Sequence, residues 1–165
     1  MLVTALRVMI MRELRALDRE LSAYPDDNSV WLRAPGVLNS AGNLTLHIAG
    51  NLRHFYGHAM TGSSYVRDRA AEFTATANQS REELREIVAD TVADMEEALE
   101  KITDQQLASE FPLPIAGRRV RTSDFLVHLA VHLGYHLGQL DYHRRLLTDS
   151  TMAIDAMSVT ELPLA

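Results

Sequence analysis

The chain reads as an all-α protein, a four-helix bundle. Four stretches repeat apolar residues at helical spacing, and no segment alternates apolar with polar residues as a half-buried strand would. Each stretch carries one long apolar stripe, and four such stripes bury one another most simply in a bundle. With 165 residues, the expectation is one domain over 1–165, long enough to bury a substantial core.

The first helix is expected over residues 3–22, where Leu6, Met9, Ile10, Leu14, Leu17 and Leu21 fall near helical spacing. Tyr24-Pro25 ends it, because a residue before proline avoids the α region. A turn-rich stretch over 25–40 holds the only tryptophan, Trp31. The second helix covers 43–60 and stops at Gly62 and Ser63-Ser64. The charged segment 65–73, containing RDRAAEF, reads as a solvated connection. Ser80 and Glu83 form a capping box that opens a third helix reaching about residue 102. Its apolar residues Leu84, Ile87, Val88, Val92, Met95 and Leu99 make one stripe. Two prolines in FPLPIAGRRVR exclude helix there and fit a short hairpin around Ala116-Gly117. Thr122 or Ser123 then caps a fourth helix that continues to about residue 147.

Composition narrows the function classes. A net charge of −6 with no basic stripe argues against nucleic acid as a partner. Cysteine is absent, which excludes disulfides, thiolate ligands and cysteine nucleophiles. The N-terminal run MLVTALRVMIMRELRAL is interrupted by Arg7, Arg12, Glu13 and Arg15 and is too short to span a bilayer. It reads as an amphipathic helix, with no membrane partner and the cytoplasm as the default location.

Six of the seven histidines form two clusters: His47, His54 and His58 in HIAGNLRHFYGH, and His128, His132 and His136 in HLAVHLGYHLGQ. Residues four apart share one helix face. With His132 as zero and about 100° per residue, Phe125, Leu129, His136 and Leu140 fall between about +20° and +80°. His132 and His136 are therefore expected inside the apolar stripe, and His128, near −40°, at its edge. On the second helix all three histidines border the apolar face, and angle alone does not choose between His47 and His54. His143, beside Arg144 and Arg145, reads as part of a solvated last turn favoured by the helix dipole.

A lone inward histidine is ordinarily a hydrogen-bonded core residue. Two stacked among leucines share few partners, so a third from another helix points to a three-nitrogen metal site. Such a site keeps a position open for water or substrate, as catalytic zinc does; nickel and iron(II) also accept imidazole.

The runs HIAGNLRHFYGH, RDRAAEF and HLAVHLGYHLGQLDYHRR together resemble the DinB superfamily, the YfiT-like metal-dependent hydrolases, and in particular a branch with an N-L-R-H motif. The family's histidine, three residues, histidine, then Gly-Gln signature matches His132, His136, Gly138 and Gln139. The resemblance implies His47, His132 and His136 as ligands of a divalent metal, zinc or nickel. It also implies an up-down-down-up bundle, usually a homodimer. Related proteins act as transferases or isomerases using a low-molecular-weight thiol, and some are called hydrolases on fold alone, so the resemblance implies hydrolysis or thiol transfer on a small-molecule substrate. Many members carry arginine where this chain has Leu137, which removes an anchor for an anionic substrate. Gln139, His128, Tyr135 and Asn51 are the candidates for a base or orienting group.

The alternative is a non-catalytic, stress-related protein in which the metal only stabilises the bundle. Di-iron chemistry is set aside, since no Glu-x-x-His pair occurs. Nucleophilic serine chemistry is set aside too, because no serine sits in a recognisable elbow.

Overall fold

The computed structural model describes residues 1–77 and 79–163. Its helices are α1 (Leu2–Ser22), α2 (Ala41–Leu52), α3 (Arg69–Thr74), α4 (Arg81–Lys101), α5 (Asp104–Ala108) and α6 (Thr122–Thr148). A π-helical stretch, Arg53–Ala59, extends α2 without a break, and a 3-10 turn, Val159–Glu161, lies near the end of the described residues. Among the described residues there is no strand.

Four long helices make the bundle. α1 packs against α4 and α6, and α2 packs against the same two, so α1 and α2 occupy opposite corners. Cross-links fix the directions. Asp18 meets Arg85 while Arg7 lies by Glu96, so α1 and α4 run antiparallel. Arg53 meets Asp94 near the ends of α2 and α4, and Leu46 and Ile87 border one groove nearer their starts, so these two are parallel. Tyr56 donates to the Leu126 carbonyl while His47 faces His132, which makes α6 antiparallel to α2. The order is up-down-down-up. The core holds Ile10, Leu14 and Leu17 of α1, Ile48 and Leu52 of α2, Leu84 and Met95 of α4, and Leu126, Leu133 and Leu140 of α6.

Helix starts follow their caps. Ser40 opens α2 by accepting from the Asn43 amide, and Asn43 reaches back to the Ser40 amide. Ser80 and Glu83 do the same for α4, as their spacing predicts. α5 opens on the equivalent Thr103 and Gln106. α6 differs from expectation: Arg121 takes the cap position without a side-chain bond, and Thr122 is the first helical residue. The Glu110–Arg121 bridge explains this, because the Thr122 amide already donates to the Ser109 carbonyl at 2.9 Å. A second bridge, Ile115–Arg118, closes the expected turn, with Ala116 and Gly117 at φ of 49° and 75°.

His143 corrects the sequence reading. It is buried, with Nδ1 2.7 Å from the Tyr24 hydroxyl and Nε2 2.9 Å from the Leu32 carbonyl. Arg144 beside it is fully buried and pairs with Glu20 of α1 at 2.5 Å. The parallel packing of α1 on α6 covers this turn, which a solvated reading of the basic run did not include.

Candidate metal centre

His47 sits in the middle of α2, 6% exposed, and the antiparallel α6 passes with His132 and His136 facing it. Nε2 of His47 is 3.4 Å from Nε2 of His132, which is 3.0 Å from Nε2 of His136. One nitrogen from each ring lies within 4.8 Å of the others, and among the described residues this is the one group of three potential ligands gathered so closely. The rings meet edge-on, at 86° for His132 with His136 and 89° for His47 with His136. Two nitrogens bound at ~2.05 Å to one tetrahedral zinc lie about 3.3 Å apart. The His47–His132 and His132–His136 distances are close to that spacing.

Two of the three tautomers are set by neighbours. Nδ1 of His47 is 2.8 Å from Glu72 Oε2, and Nδ1 of His136 is 2.7 Å from Gln139 Oε1. Each oxygen accepts a hydrogen bond from the Nδ1–H of its ring, which leaves the Nε2 lone pairs directed at the common point. Burial lowers the pKa of His132 to about 4, and possible positive charge on His136, His47 and His128, with that of Arg67, adds to the effect. Burial also lowers His136, although the bond to Gln139 works in the opposite direction. These two rings are neutral near pH 7, the form a metal requires.

Glu72 comes from the segment that reads as a solvated connection, and the structure corrects that reading. The segment folds into α3 and docks on α2, with Glu72 5% exposed. Arg67 grips the carboxylate twice, through Nε at 2.6 Å and Nη2 at 2.8 Å. Burial pushes the Glu72 carboxyl up, but the bonds from Arg67 and His47 outweigh it and hold the pKa below the usual value. Asn43 secures the helix from the other side, donating through Nδ2 to the carbonyls of Glu72 and Ala75, each at 3.0 Å. A Cβ on Gly50 would stand 2.2 Å from Glu72 Oε1, so only glycine leaves room for this carboxylate. Phe73 packs its ring 4.9 Å from that of His47.

His132 and His136 line the rim of the buried face of α6 and are only partly buried. The inward direction is set by Leu126, Leu133 and Leu137, which fall about 100–140° from His132 at 100° per residue and are all buried. Leu137 thus belongs to the core. His128 is exposed, one turn from His132 with ring centroids 6.1 Å apart. On the π-helical stretch, His54 stacks on the exposed His58 at 5.6 Å and 14°, and neither joins the three. Asn51 is buried with Oδ1 unpaired, and Tyr135 is exposed against the edge of His136. A groove of about 560 Å³ lies elsewhere, between α1 and α4 and bordered by Asp18 and Arg85, whose ion pair joins the two helices.

Fold and site define a helical bundle in which two antiparallel helices bring together three histidines that could hold a metal ion. The DinB superfamily model matches residues 9–140, and the chain belongs to that superfamily. A DinB-like protein from Bacillus cereus ATCC 10987 has a similar structure, with a TM-score of 0.60 and 22% identity over 81% of this chain and 84% of that one. A conserved protein from Enterococcus faecalis superposes with a TM-score of 0.65 and 18% identity, over 89% of this chain and 97% of that one. At such identities these two likenesses speak for the fold alone. No curated protein matches. Among the described residues no helix is long and apolar enough to cross a membrane.

Proposed function

We propose that this protein is a divalent-metal-dependent enzyme whose ion, zinc or nickel, is held by His47, His132 and His136. The observation that carries the reading is the convergence of three Nε2 atoms, two of them on rings whose Nδ1 protons are already engaged. Bound there, the metal supplies Lewis acidity that lowers the pKa of a coordinated water or small thiol. The chain's own contribution is to orient the rings: Glu72 through His47 and Gln139 through His136. Three ligands leave a coordination position free, and His132 and His136 lie at the rim, where a small molecule can reach it. Hydrolysis or thiol transfer fits such a site.

Metal analysis of untagged protein tests the reading. Wild type is expected to carry about one equivalent of metal per chain, and His132→Ala and His47→Ala to carry far less. Equal content in all three proteins would defeat the assignment. Catalysis is then distinguished from a purely stabilising metal by adding a small thiol to the loaded and metal-free forms. Binding that requires the metal supports the enzyme, whereas a large loss of melting temperature on chelation without any thiol or substrate binding supports a structural role.

A further inference from the structure

Because α2 and α6 run antiparallel, the turn before His47 and the turn after His136 lie at the same end of the histidine site. Those turns carry Leu44 and Gln139, and both line a groove of about 390 Å³ between α6 and the loop that leads into α2. Gln139 belongs to both places, since its Oε1 accepts from Nδ1 of His136 at 2.7 Å. His132, Gln139 and Leu146 follow one line along α6, seven residues apart, with a drift of only about 20° per step. The groove therefore begins about one helical turn from the histidines and runs about 10 Å further along the helix to Leu146.

Its walls are apolar and held in place. Val37 and Leu38 stand on the loop side, Tyr142 and Leu146 on the helix side, and the buried Leu44 lies between them. The Val37 amide donates to the Ala34 carbonyl at 3.0 Å, Gly36 turns the loop at a φ of 79°, and Ser40 caps α2 just beyond Asn39. A groove fixed in this way needs little rearrangement to take a ligand. Six charged side chains line the groove between α1 and α4. Here the one titratable side chain without a hydroxyl is His143, and its two ring nitrogens are already engaged by Tyr24 and Leu32. Leu38, Tyr142 and Leu146 are nevertheless 84%, 70% and 68% exposed. Apolar surface thus faces water along this groove, and covering it with another apolar group is favourable.

We infer that this groove binds the apolar, uncharged part of a small molecule whose oxygen-bearing head reaches the histidine site. The inference rests on the metal-dependent reading of that site and gives its substrate a chemical class: a neutral carbonyl compound with an aliphatic or aromatic tail about 10 Å long. The volume suits such a tail, since small-molecule pockets begin at about 300 Å³. A charged tail would be stranded among Val37, Leu38 and Leu146 without a partner, which selects against it. At the end nearest the histidines, the Oε1 of Gln139 is taken by His136, so its amide hydrogens are what it offers to the carbonyl oxygen of the head.

Two arms of one experiment separate the groove from the metal. In the metal-free protein, the neutral fluorescent probe N-phenylnaphthylamine is expected to bind. Leu146→Glu and Leu38→Glu, on opposite walls, are each expected to weaken that binding at least about tenfold. Val131→Glu, on the exposed face of α6 but outside the groove, is expected to leave it unchanged. All three positions face solvent, so circular dichroism is expected to show folded variants. In the zinc-loaded protein, octanohydroxamate is expected to bind at least about tenfold more tightly than acetohydroxamate, which has the same head and no tail. Both groove variants are expected to erase that advantage. The inference is overturned if wild type does not bind the neutral probe, if both groove variants bind it as wild type does, or if acetohydroxamate binds as tightly as octanohydroxamate. Binding of the neutral probe in the groove by a protein that takes up no zinc, or whose zinc binds neither hydroxamate, defeats the metal reading and supports the groove as an apolar site.

Discussion

Glu72 accepts from His47 while Arg67 grips both of its oxygens, so the imidazole of His47 is aimed by a carboxylate that cannot itself swing away. Glu72→Gln keeps the shape but offers an amide that is as ready to donate as to accept, and the ring loses its fixed tautomer. Outer partners of this kind are worth about 10–100-fold in metal affinity. The expected result is a rise of that size in the dissociation constant of zinc, measured by chelator competition, with no change in helix content. Unchanged affinity would show that α3 only packs there. Gly50→Ala acts on the same carboxylate through space, since the added methyl occupies the position of Oε1, and it is expected to weaken metal binding in the same assay.

At the scale of the helices, Asn43 has two roles. Its side chain completes the cap of α2 and also holds two carbonyls at the end of α3. Asn43→Ala removes the reciprocal cap bond, a change worth about 1 kcal/mol for caps in general, and strands two carbonyls. A net loss of about 2–3 kcal/mol in urea unfolding is expected, together with weaker metal binding as α3 loosens. A loss under about 0.5 kcal/mol would mean that water replaces the amide. The sequence allows one part of this arrangement to be read and hides the other. The four long helices, the Ser80–Glu83 cap and the pairing of His132 with His136 are legible because each depends on spacing within one helix. The Thr103–Gln106 cap was equally local, and its T-x-x-Q signal was there to be read. Glu72 was hidden among charged residues in a six-residue helix, and only tertiary contact distinguishes a buried glutamate from a solvated one. His143 and Arg144 were misleading for the same reason: a basic last turn suits solvent unless a parallel neighbour covers it.

For the molecule as a whole, the contact between α1 and α6 makes stability depend on pH. Burial raises the pKa of Glu20, the bond from Arg144 opposes that rise, and the adjacent Asp141 adds to it, with a net value of about 7 against 4.5 for a free side chain. The folded protein therefore holds this proton more tightly than the unfolded chain does. Its contribution is complete below about pH 4.5 and is lost as pH rises through about 7. Arg144 stays charged throughout, so Glu20→Gln removes the titration without adding another. The stability advantage of wild type over this variant is expected to shrink from pH 4.5 to pH 8 in urea unfolding. A difference that stays constant across that window would rule out the linkage.

The up-down-down-up order also sets a timetable for the metal site. His47 and His132 are 85 residues apart in the chain, and the parallel run of α2 and α4 requires the long connection through α3 between them. At roughly 5–20 residues per second, a ribosome takes on the order of 4–17 s to pass from one ligand to the other. Throughout that interval the nascent chain has one imidazole in place and no site. On the proposed assignment of His47, His132 and His136 as ligands, metal uptake would wait for the last helix to dock, and the rate at which a refolding sample acquires the ion would time the closure of the bundle.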